Sequence, residues 1–467
     1  MGTGSLNELV IKGGTIGGTN SMNHKRFLLN LLVLLATLSP LTALAQPGFL
    51  ASGPMVGYSE MFEVALWVQT TQEARVKIAY WEEGNSALQF YSNQVTTEQA
   101  DAFTAKIIIH DLLPGKVYGY MPYINGWKVK KTYPFKFQTQ SLWQHRTDPP
   151  EFSFVVGSCN YVNDPLYDRP GEPYGKSQSI FTVITEKSPD FMLWLGDNIY
   201  LREPDWGTLN GIINRYSAGR SVPELQPLLG STHHYAIWDD HDYGPNNSDR
   251  SFRNKRESLD VFKLFWLNPT YGTEDESGIT TSFAWGDVDF FLLDNRWFRS
   301  PNGRQTGDRT ILGSAQLQWL IDGLSSSRAP FKIIAIGGQV LNPAAKYENM
   351  ATYPDERAGL LDLIEKEKIK GVMFLTGDRH HTELTKLDRA GSYPLYDLTV
   401  SPLTATPSNI AGEEVNNLRV DGTLVTVNNF ALLKVTGAKG ARSLLIQIHS
   451  AEGSLLWERT IPEGEVK

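Results

Sequence analysis

The pattern of apolar and polar positions changes character once along the chain, near residue 150. Between residues 53 and 139, apolar and polar positions alternate over short segments rich in Val, Ile, Tyr and Phe, and turn residues such as Asn125-Gly126 separate them. Short alternating segments at even spacing are typical of an antiparallel β-sandwich. The predicted strands are residues 63–69, 75–81, 104–110, 117–124 and 133–138. We therefore predict a β-sandwich domain at residues 46–140.

One segment of this first stretch carries a more specific signal. Residues 113–118, Leu-Pro-Gly-Lys-Val-Tyr, resemble the tyrosine corner of fibronectin-like domains, in which a tyrosine hydroxyl holds the preceding loop. No cluster of titratable side chains occurs in this stretch, so we expect it to act as a scaffold or to shape a site elsewhere.

Beyond the polar segment that ends in Pro149-Pro150, the apolar runs become continuous, as expected for strands that are covered on both faces. These runs are residues 152–156, 191–195, 235–238, 288–293, 333–336 and 372–375. Helical patterns lie between several of them, at residues 177–187, 206–217, 254–266, 314–325 and 354–368. This alternation predicts a layered α/β domain at residues 150–467. Three further strands, at 430–435, 443–449 and 455–461, are expected to complete a second sheet of that domain.

The amino-terminal segment indicates export. Residues 22–45 contain a short basic region, an apolar run from 27 to 38 and the small-residue sequence Ala43-Leu44-Ala45, which is the layout of a cleaved signal peptide. A run of twelve residues is too short for a stable membrane anchor. We interpret residues 1–21 as an upstream remnant and predict a secreted or periplasmic protein, cleaved near Ala45.

Composition narrows the possible partners. The formal net charge is −8 and no dense Lys/Arg block is present, which argues against nucleic acid as a specific partner. Cys159 is the only cysteine, so no intrachain disulfide can form. A lone cysteine is either buried and inert or retained for its sulfur. The oligomeric state is left open.

The candidate chemistry follows the apolar runs. In open α/β sheets ligands bind beyond the carboxyl ends of the strands, so we expect the polar groups there to converge on one sheet edge. These groups are Gly157-Ser158-Cys159-Asn160, Gly196-Asp197-Asn198-Ile199-Tyr200, Asp239-Asp240-His241-Asp242, Asp294-Asn295-Arg296 and Gly377-Asp378-Arg379-His380-His381. Carboxylates this close repel one another unless a cation or well-placed donors neutralise them. A metal site is the leading interpretation, and a solvated acidic turn is the alternative for the 239–242 cluster alone.

The same motifs, taken in order, resemble those of the alkaline phosphatase D (PhoD-like) family of metallophosphatases. The resemblance runs from about Gly53 to the carboxyl terminus and includes the helix motif Leu-Gly-Ser-Ala-Gln-Leu-Gln-Trp-Leu at residues 312–320. It implies an α/β/β/α metallophosphoesterase-type domain behind the β-sandwich. It also implies Fe³⁺ and Ca²⁺ as cofactors, although other divalent metals remain possible.

The resemblance further implies a ligand set. Cys159, Asp197 and Tyr200 would hold the iron, with Asp197 bridging to the second ion. Thiolate and phenolate suit a trivalent ion, and oxygen ligands suit calcium. A looser similarity to other metallophosphoesterases makes the next ligands Asp240, Asp378 and His380, and makes His241 a group that faces the substrate.

Several nearby residues depart from the common family pattern or have open roles. Asp242 and Leu201 stand where glutamates are common, and Arg379 stands where a small residue is common. Arg379 either clamps a phosphate oxygen or pairs with a carboxylate. Arg296 either braces a loop or contacts the substrate, and Asp239 and Asp242 are expected to orient the loop or the histidine. Less certain members of the site are Asn198, Asn246, Asn247 and His381.

Together these features predict an exported, metal-dependent phosphoric ester hydrolase that acts on small phosphate monoesters, diesters or both. Two cations would activate a water molecule and offset charge on the attacking and leaving oxygens. His241 or His380 would protonate the leaving oxygen. The alternatives are a non-catalytic extracellular binding protein with a structural metal cluster, or a hydrolase of another ester that uses the same metals.

Overall fold

The computed structural model describes residue 13 and residues 48–273, 277–408 and 415–467. The chain divides into two units, Met1–Pro47 and Gly48–Lys467, and the elements below belong to the second. The predicted signal peptide at residues 22–45 lies outside the described residues. Within the described residues, no helix has the length and apolar character needed to cross a bilayer.

Nine strands come from the amino-terminal stretch. They are β1 (Leu50–Ser59), β2 (Val64–Thr70), β3 (Ala74–Glu82), β4 (Phe90–Tyr91), β5 (Val95–Thr97), β6 (Thr104–Ile109), β7 (Val117–Ile124), β8 (Trp127–Lys128) and β9 (Lys136–Gln138). The predicted tyrosine corner is present, because the Leu113 amide donates a hydrogen bond to the Tyr118 hydroxyl at 2.9 Å.

The longer carboxyl-terminal stretch supplies the remaining strands and the helices. The strands are β10 (Phe152–Gly157), β11 (Phe191–Leu195), β12 (His233–Ile237), β13 (Thr281–Trp285), β14 (Val288–Leu292), β15 (Phe331–Ile336), β16 (Val372–Thr376), β17 (Glu383–Leu387), β18 (Leu395–Thr399), β19 (Asn429–Thr436), β20 (Ser443–Ser450) and β21 (Leu455–Pro462). The helices are α1 (Ile180–Glu186), α2 (Leu209–Arg220), α3 (Gln226–Ser231), α4 (Asp240–Tyr243), α5 (Lys255–Phe265), α6 (Ser314–Ser326) and α7 (Pro354–Lys366). Each of the six predicted apolar runs forms a strand.

The strands of the described residues form three sheets. The first has nine strands in the order β21-β20-β19-β10-β11-β12-β1-β2-β6, and the second has six in the order β13-β14-β15-β16-β18-β17. The third has the order β4-β3-β7-β8, with β5 paired to β3 and β9 paired to β7. The strand ends that carry the candidate chemistry therefore belong to two sheets, not to the single sheet edge that we expected. The predicted carboxyl-terminal strands extend the first of these sheets through the β19–β10 pair.

The first two sheets pack face to face between layers of helices, which confirms the predicted α/β/β/α arrangement. Phe290 of the second sheet meets Phe154 of the first with ring centroids 5.3 Å apart. Phe291, the next residue and therefore on the opposite face, packs against Trp319 of α6. On the outer face of the first sheet, Trp194 packs against Phe181 of α1. The buried aromatic layer between the sheets fixes how their strand ends meet.

The amino-terminal strands are joined to the later part of the chain through a shared sheet. Strands β1, β2 and β6 continue the nine-stranded sheet, since β1 pairs in parallel with β12 at Val56 and His233. Strand β1 was missing from the sequence prediction, because Gly53, Pro54 and Gly57 interrupt its pattern. A Cβ on Gly57 would lie 2.3 Å from the Leu267 Cβ, so a side chain has no room there.

Candidate metal centre

Strand ends from both sheets deliver the candidate ligands. Cys159 follows β10, Asp197 follows β11, and Asp378 and His380 follow β16. All four have positive φ values, of 60°, 49°, 70° and 53° respectively. Non-glycine residues rarely adopt this left-handed conformation, which tends to occur at functional sites. The turns aim the four side chains at one region instead of letting the strands continue.

Three overlapping groups of ligand atoms result. They are Cys159 with Asp197 and His380, Asp197 with Asp240 and His241, and Asp239 with Asp240 and Asp378. Within each group the ligand atoms lie within 4.8 Å of one another. Asp197 belongs to the first two groups and Asp240 to the last two. The arrangement is a chain of potential cation sites joined by shared carboxylates.

The Cys159 thiol is the sulfur donor of the first group. It is fully buried, and its Sγ accepts hydrogen bonds from Ser401 Oγ at 3.1 Å and from Ser158 Oγ at 3.5 Å. Burial raises the pKa of the thiol to about 12, even though the two serine hydroxyls lower it. The thiolate therefore needs a nearby positive charge. Without one, the sulfur donates to Asp197 Oδ2 at 3.6 Å.

The contacts of the His380 ring indicate its tautomer. Its Nδ1 lies 2.8 Å from the Thr406 carbonyl oxygen, which can only accept, so Nδ1 carries the hydrogen. The lone pair is then on Nε2, which faces the Tyr200 hydroxyl at 3.0 Å. A neutral imidazole held in this way is ready to bind a metal. Tyr200 and His380 therefore belong beside Cys159 and Asp197.

Residues 240–242 lie in the single-turn helix α4 and Asp239 caps its amino terminus, and the side chains of the cluster have different partners. Asp242 faces inward, where its carboxylate accepts the amides of Asn198 and Asp239, each at 3.0 Å. Asp239 Oδ1 accepts Asn295 Nδ2 at 2.7 Å and Arg296 Nε at 2.6 Å. Asp240 Oδ2 accepts the Asn247 amide at 2.6 Å. The buried cluster is therefore not the solvated acidic turn of the alternative interpretation.

Unpartnered oxygens and raised pKa values test whether cations fit this site. Asp239 Oδ2 and Asp240 Oδ1 are buried and lack a hydrogen-bond partner. Burial, followed by the charges of Asp240 and Cys159, raises the pKa of Asp197 far above its usual value. Burial and the charges of Asp239 and Asp240 do the same for Asp378. Without cations Asp197 and Asp378 would resist ionisation. The pKa of Asp240 is instead lowered to about 2, because the charges of His241 and Arg296 outweigh its burial. A buried site that holds one ionised carboxylate and two that need a positive charge fits metal ions.

Arg296 braces the centre. It is 1% exposed, and its Nε and Nη2 hold Asp239 while its Nη1 donates to Glu348 Oε2 at 2.9 Å. Its guanidinium thus ties α4 to the loop before α7. Of the two roles weighed for this residue, the contacts favour bracing.

Arg379 lies between the candidate ligand Asp378 and a second polar network, to which His381 belongs. Arg379 Nη1 donates to Gln339 Oε1 at 2.7 Å, and Arg379 Nε lies 4.0 Å from Asp378 Oδ2. The His381 Nε2 lies 3.6 Å from Glu383 Oε1, and its Nδ1 contacts the Arg379 carbonyl oxygen at 3.0 Å. His381 is fully buried and is not a member of the three ligand groups.

Of the three asparagines named from the sequence, one is buried beside the site and two are exposed. Asn198 is buried and braces α4 through its amide and through Nδ2, which donates to the Ile237 carbonyl at 2.8 Å. Asn246 and Asn247 are exposed, and the contact of Asn247 with Asp240 runs through its backbone amide. The side-chain roles of both residues stay predictions.

The sequence prediction missed the residues that hold the ligands from distant loops. Ser401, Thr406 and Glu348 contact Cys159, His380 and Arg296, but none of them follows an apolar run with ligand-type neighbours. Asp239 was expected only to orient its neighbours, yet it lies in a ligand group with Asp240 and Asp378.

Comparison with known proteins places the chain in a family. The model of the PhoD-like phosphatase family matches residues 154–437, more than half of the chain, and the chain belongs to that family. The family resemblance inferred from the motifs is thereby confirmed. A second model, described as a domain of unknown function (DUF7800), matches residues 48–142.

Individual relatives are distant. Alkaline phosphatase D from Bacillus subtilis (strain 168) is 22% identical over 315 residues, which are 55% of this chain and 52% of that protein. The chain therefore spans about half the length of this curated relative. A solved structure of PhoD has a TM-score of 0.72 at 16% identity and covers 89% of this chain and 93% of its own. The purple acid phosphatase PPD1 from yellow lupin (Lupinus luteus) seeds has a TM-score of 0.63 at 12% identity, covering 88% of this chain and 74% of its own. Both structures share the fold.

Proposed function

We propose that the chain is a metal-dependent phosphoric ester hydrolase acting on small monoesters, diesters or both. The observation that carries the proposal is the set of three ligand groups linked by the shared carboxylates of Asp197 and Asp240. Adjacent cations are the arrangement that phosphoryl-transfer enzymes use to bind phosphate oxygens. Membership of the PhoD-like phosphatase family supports the same reaction class.

The donor types suggest how the ligands divide. Cys159, Asp197, Tyr200 and His380 combine sulfur, phenol and imidazole donors, which suit Fe³⁺. Asp239, Asp240 and Asp378 offer oxygen atoms only, which suit Ca²⁺ or another hard divalent cation. Ions bound there would activate a water molecule and stabilise negative charge on the phosphate.

The chain's own residues would position the ester and move one proton. His241 packs against Tyr200 with ring centroids 4.3 Å apart, which orients its imidazole at the edge of the site. It is our candidate to give a proton from a ring nitrogen to the leaving oxygen, and it also belongs to a ligand group. Arg379, held by Gln339, would bind a phosphate oxygen.

We also propose export. The support is the signal-peptide layout at residues 22–45, which predicts cleavage near Ala45 and a secreted or periplasmic enzyme.

The experiment is hydrolysis of p-nitrophenyl phosphate and bis-p-nitrophenyl phosphate by the mature protein, with and without iron and calcium. We expect metal-dependent turnover of at least one ester. Cys159→Ala should lower both bound iron and turnover, because it removes the sulfur donor. Full iron and full turnover in Cys159→Ala would contradict Cys159 as a ligand.

The two rival functions predict different results in that assay. A binding protein with a structural metal cluster would unfold without metal and hydrolyse neither ester. A hydrolase of another ester class would leave both phosphates intact but cleave a sulfate or carboxylate ester.

A further inference from the structure

Two exposed tyrosines lie beside the candidate metal centre, each against one of two adjacent site residues. Tyr347 lies over Arg379 and Tyr174 lies against His380. We propose that these rings bind the leaving group of the substrate, and that this leaving group carries a planar aromatic ring. The proposal rests on the proposed hydrolase function and specifies its substrate class.

Tyr347 lies directly over the Arg379 guanidinium. The Arg379 Cζ is 4.8 Å from the Tyr347 ring centroid, while 56% of Tyr347 stays exposed. The loop that carries this ring is tied to the metal centre, because Glu348, the next residue, pairs with Arg296 at 2.9 Å, and Arg296 also holds Asp239. The ring therefore has a defined position relative to the candidate ligands.

Tyr174 is held on the other neighbour. Its ring centroid is 5.9 Å from that of His380, and its hydroxyl lies 3.2 Å from His380 Nδ1. Its carbonyl accepts the Thr406 hydroxyl at 2.6 Å, and Tyr161 packs edge-on against its ring at 4.9 Å. Even so, 42% of Tyr174 remains exposed.

Single exposed tyrosines are common on protein surfaces and need no explanation. Here both rings contact residues that the site would use, and both keep open surface beside them. When the phosphate is bound among the ligands and Arg379, the rest of the ester must lie outside them, and these two tyrosines offer exposed ring surface next to Arg379 and His380. An aromatic ring gains stacking energy on tyrosine that an alkyl group does not.

The test compares phenylphosphonate with methylphosphonate, which share the phosphonate group and differ by the ring. Each is measured as an inhibitor of p-nitrophenyl phosphate hydrolysis and by calorimetry on the metal-loaded protein. We expect phenylphosphonate to bind the wild type about tenfold more tightly or better, in line with stacking on aromatic side chains. Tyr347→Ala and Tyr174→Ala should each remove most of that preference.

Matched variants separate the effect of the planar aromatic ring from the effects of the hydroxyl and of apolar surface. Tyr347→Phe and Tyr174→Phe should retain the preference, whereas Tyr347→Leu should lose it, because leucine is apolar but not planar. Tyr91→Ala, which removes an equally exposed tyrosine (52%) from β4, should change nothing.

Two failures can be told apart. If the alanine variants weaken both phosphonates equally, or if the wild type shows no preference, the aromatic subsite is wrong while hydrolysis stands. If the wild type hydrolyses no phosphate ester, the proposed function fails, and the calorimetric preference alone decides whether the rings bind an aromatic phosphonate.

Discussion

Single residues in this site are defined by what holds them as much as by what they can bind. The buried guanidinium of Arg296 forms ion pairs with Asp239 and with Glu348, and both carboxylates lie within 3 Å of it. The charges of Asp239, Glu348 and Asp240 outweigh the effect of burial and raise the pKa of Arg296. The guanidinium therefore stays charged. Its loss would leave the buried Asp239 with Asn295 but without this ion pair, and would leave Glu348 with Arg299 at 3.4 Å.

We therefore predict that Arg296→Gln lowers the free energy of unfolding by about 3 kcal/mol or more, the usual effect of breaking a buried ion pair. Urea unfolding of the metal-loaded protein measures it. Arg169→Gln is the control, because Arg169 pairs with Glu203 at the surface with its side chain 86% exposed, and its loss should have little effect. A variant of normal stability with a raised KM would instead make Arg296 a substrate-binding residue.

At the scale of elements, two glycines set how closely the two sheets approach at the site. Gly377, which follows β16, donates its amide to the Gly337 carbonyl at 2.7 Å. A Cβ on Gly377 would lie 2.7 Å from the Leu195 carbonyl oxygen and 2.7 Å from Ser158 Cβ. A Cβ on Gly337 would lie 2.6 Å from the Asp239 Cγ. Both are needed for close packing, so any side chain would push the ligand-bearing turns apart.

Gly377→Ala should therefore cost about 1–3 kcal/mol of stability by overpacking. It should also lower kcat/KM by about 100-fold, since a displacement of about 1 Å is enough for that. Gly359→Ala in α7 is the matched control: nothing lies within 4 Å of its Cβ position, and alanine favours helix. We expect that variant to gain about 0.5–1 kcal/mol and to keep full activity. Full activity in Gly377→Ala would show that the approach of the sheets does not set the site.

The sequence predicted strand positions far better than strand pairing. Six apolar runs could be assigned because burial on both faces leaves a continuous apolar signal. Pairing leaves no such signal, so the two sheets implied by the family resemblance could not be assigned their strands, and the site motifs were expected at the edge of one sheet. The same limit applies to the site. Cys159, Asp197 and Asp378 were identifiable from strand ends, whereas Ser401 and Glu348 reach the site only through tertiary contacts.

At the scale of the whole molecule, residues 48–142 make direct contacts with the part of the chain that carries the candidate metal centre. Beyond the β1–β12 pairing, the Tyr120 hydroxyl donates to the Gly230 carbonyl at 3.0 Å, and Trp67 Nε1 donates to the Leu264 carbonyl at 2.9 Å. The Ser59 amide donates to the Tyr235 hydroxyl at 3.1 Å. The division into domains at residues 46–140 and 150–467 stays a prediction, but the shared sheet makes independent unfolding unfavourable.

We therefore predict one cooperative unfolding transition, which a core substitution in the sandwich can test. Ile78 of β3 is fully buried in the sandwich core, so Ile78→Ala should cost about 2–5 kcal/mol. Urea unfolding is followed by tryptophan fluorescence and by loss of hydrolysis, with the exposed Arg75→Ala as control. In a coupled fold both midpoints move together in Ile78→Ala. If fluorescence shifted while the midpoint for hydrolysis stayed in place, the sandwich would unfold by itself, and the shared sheet would not transmit stability to the site.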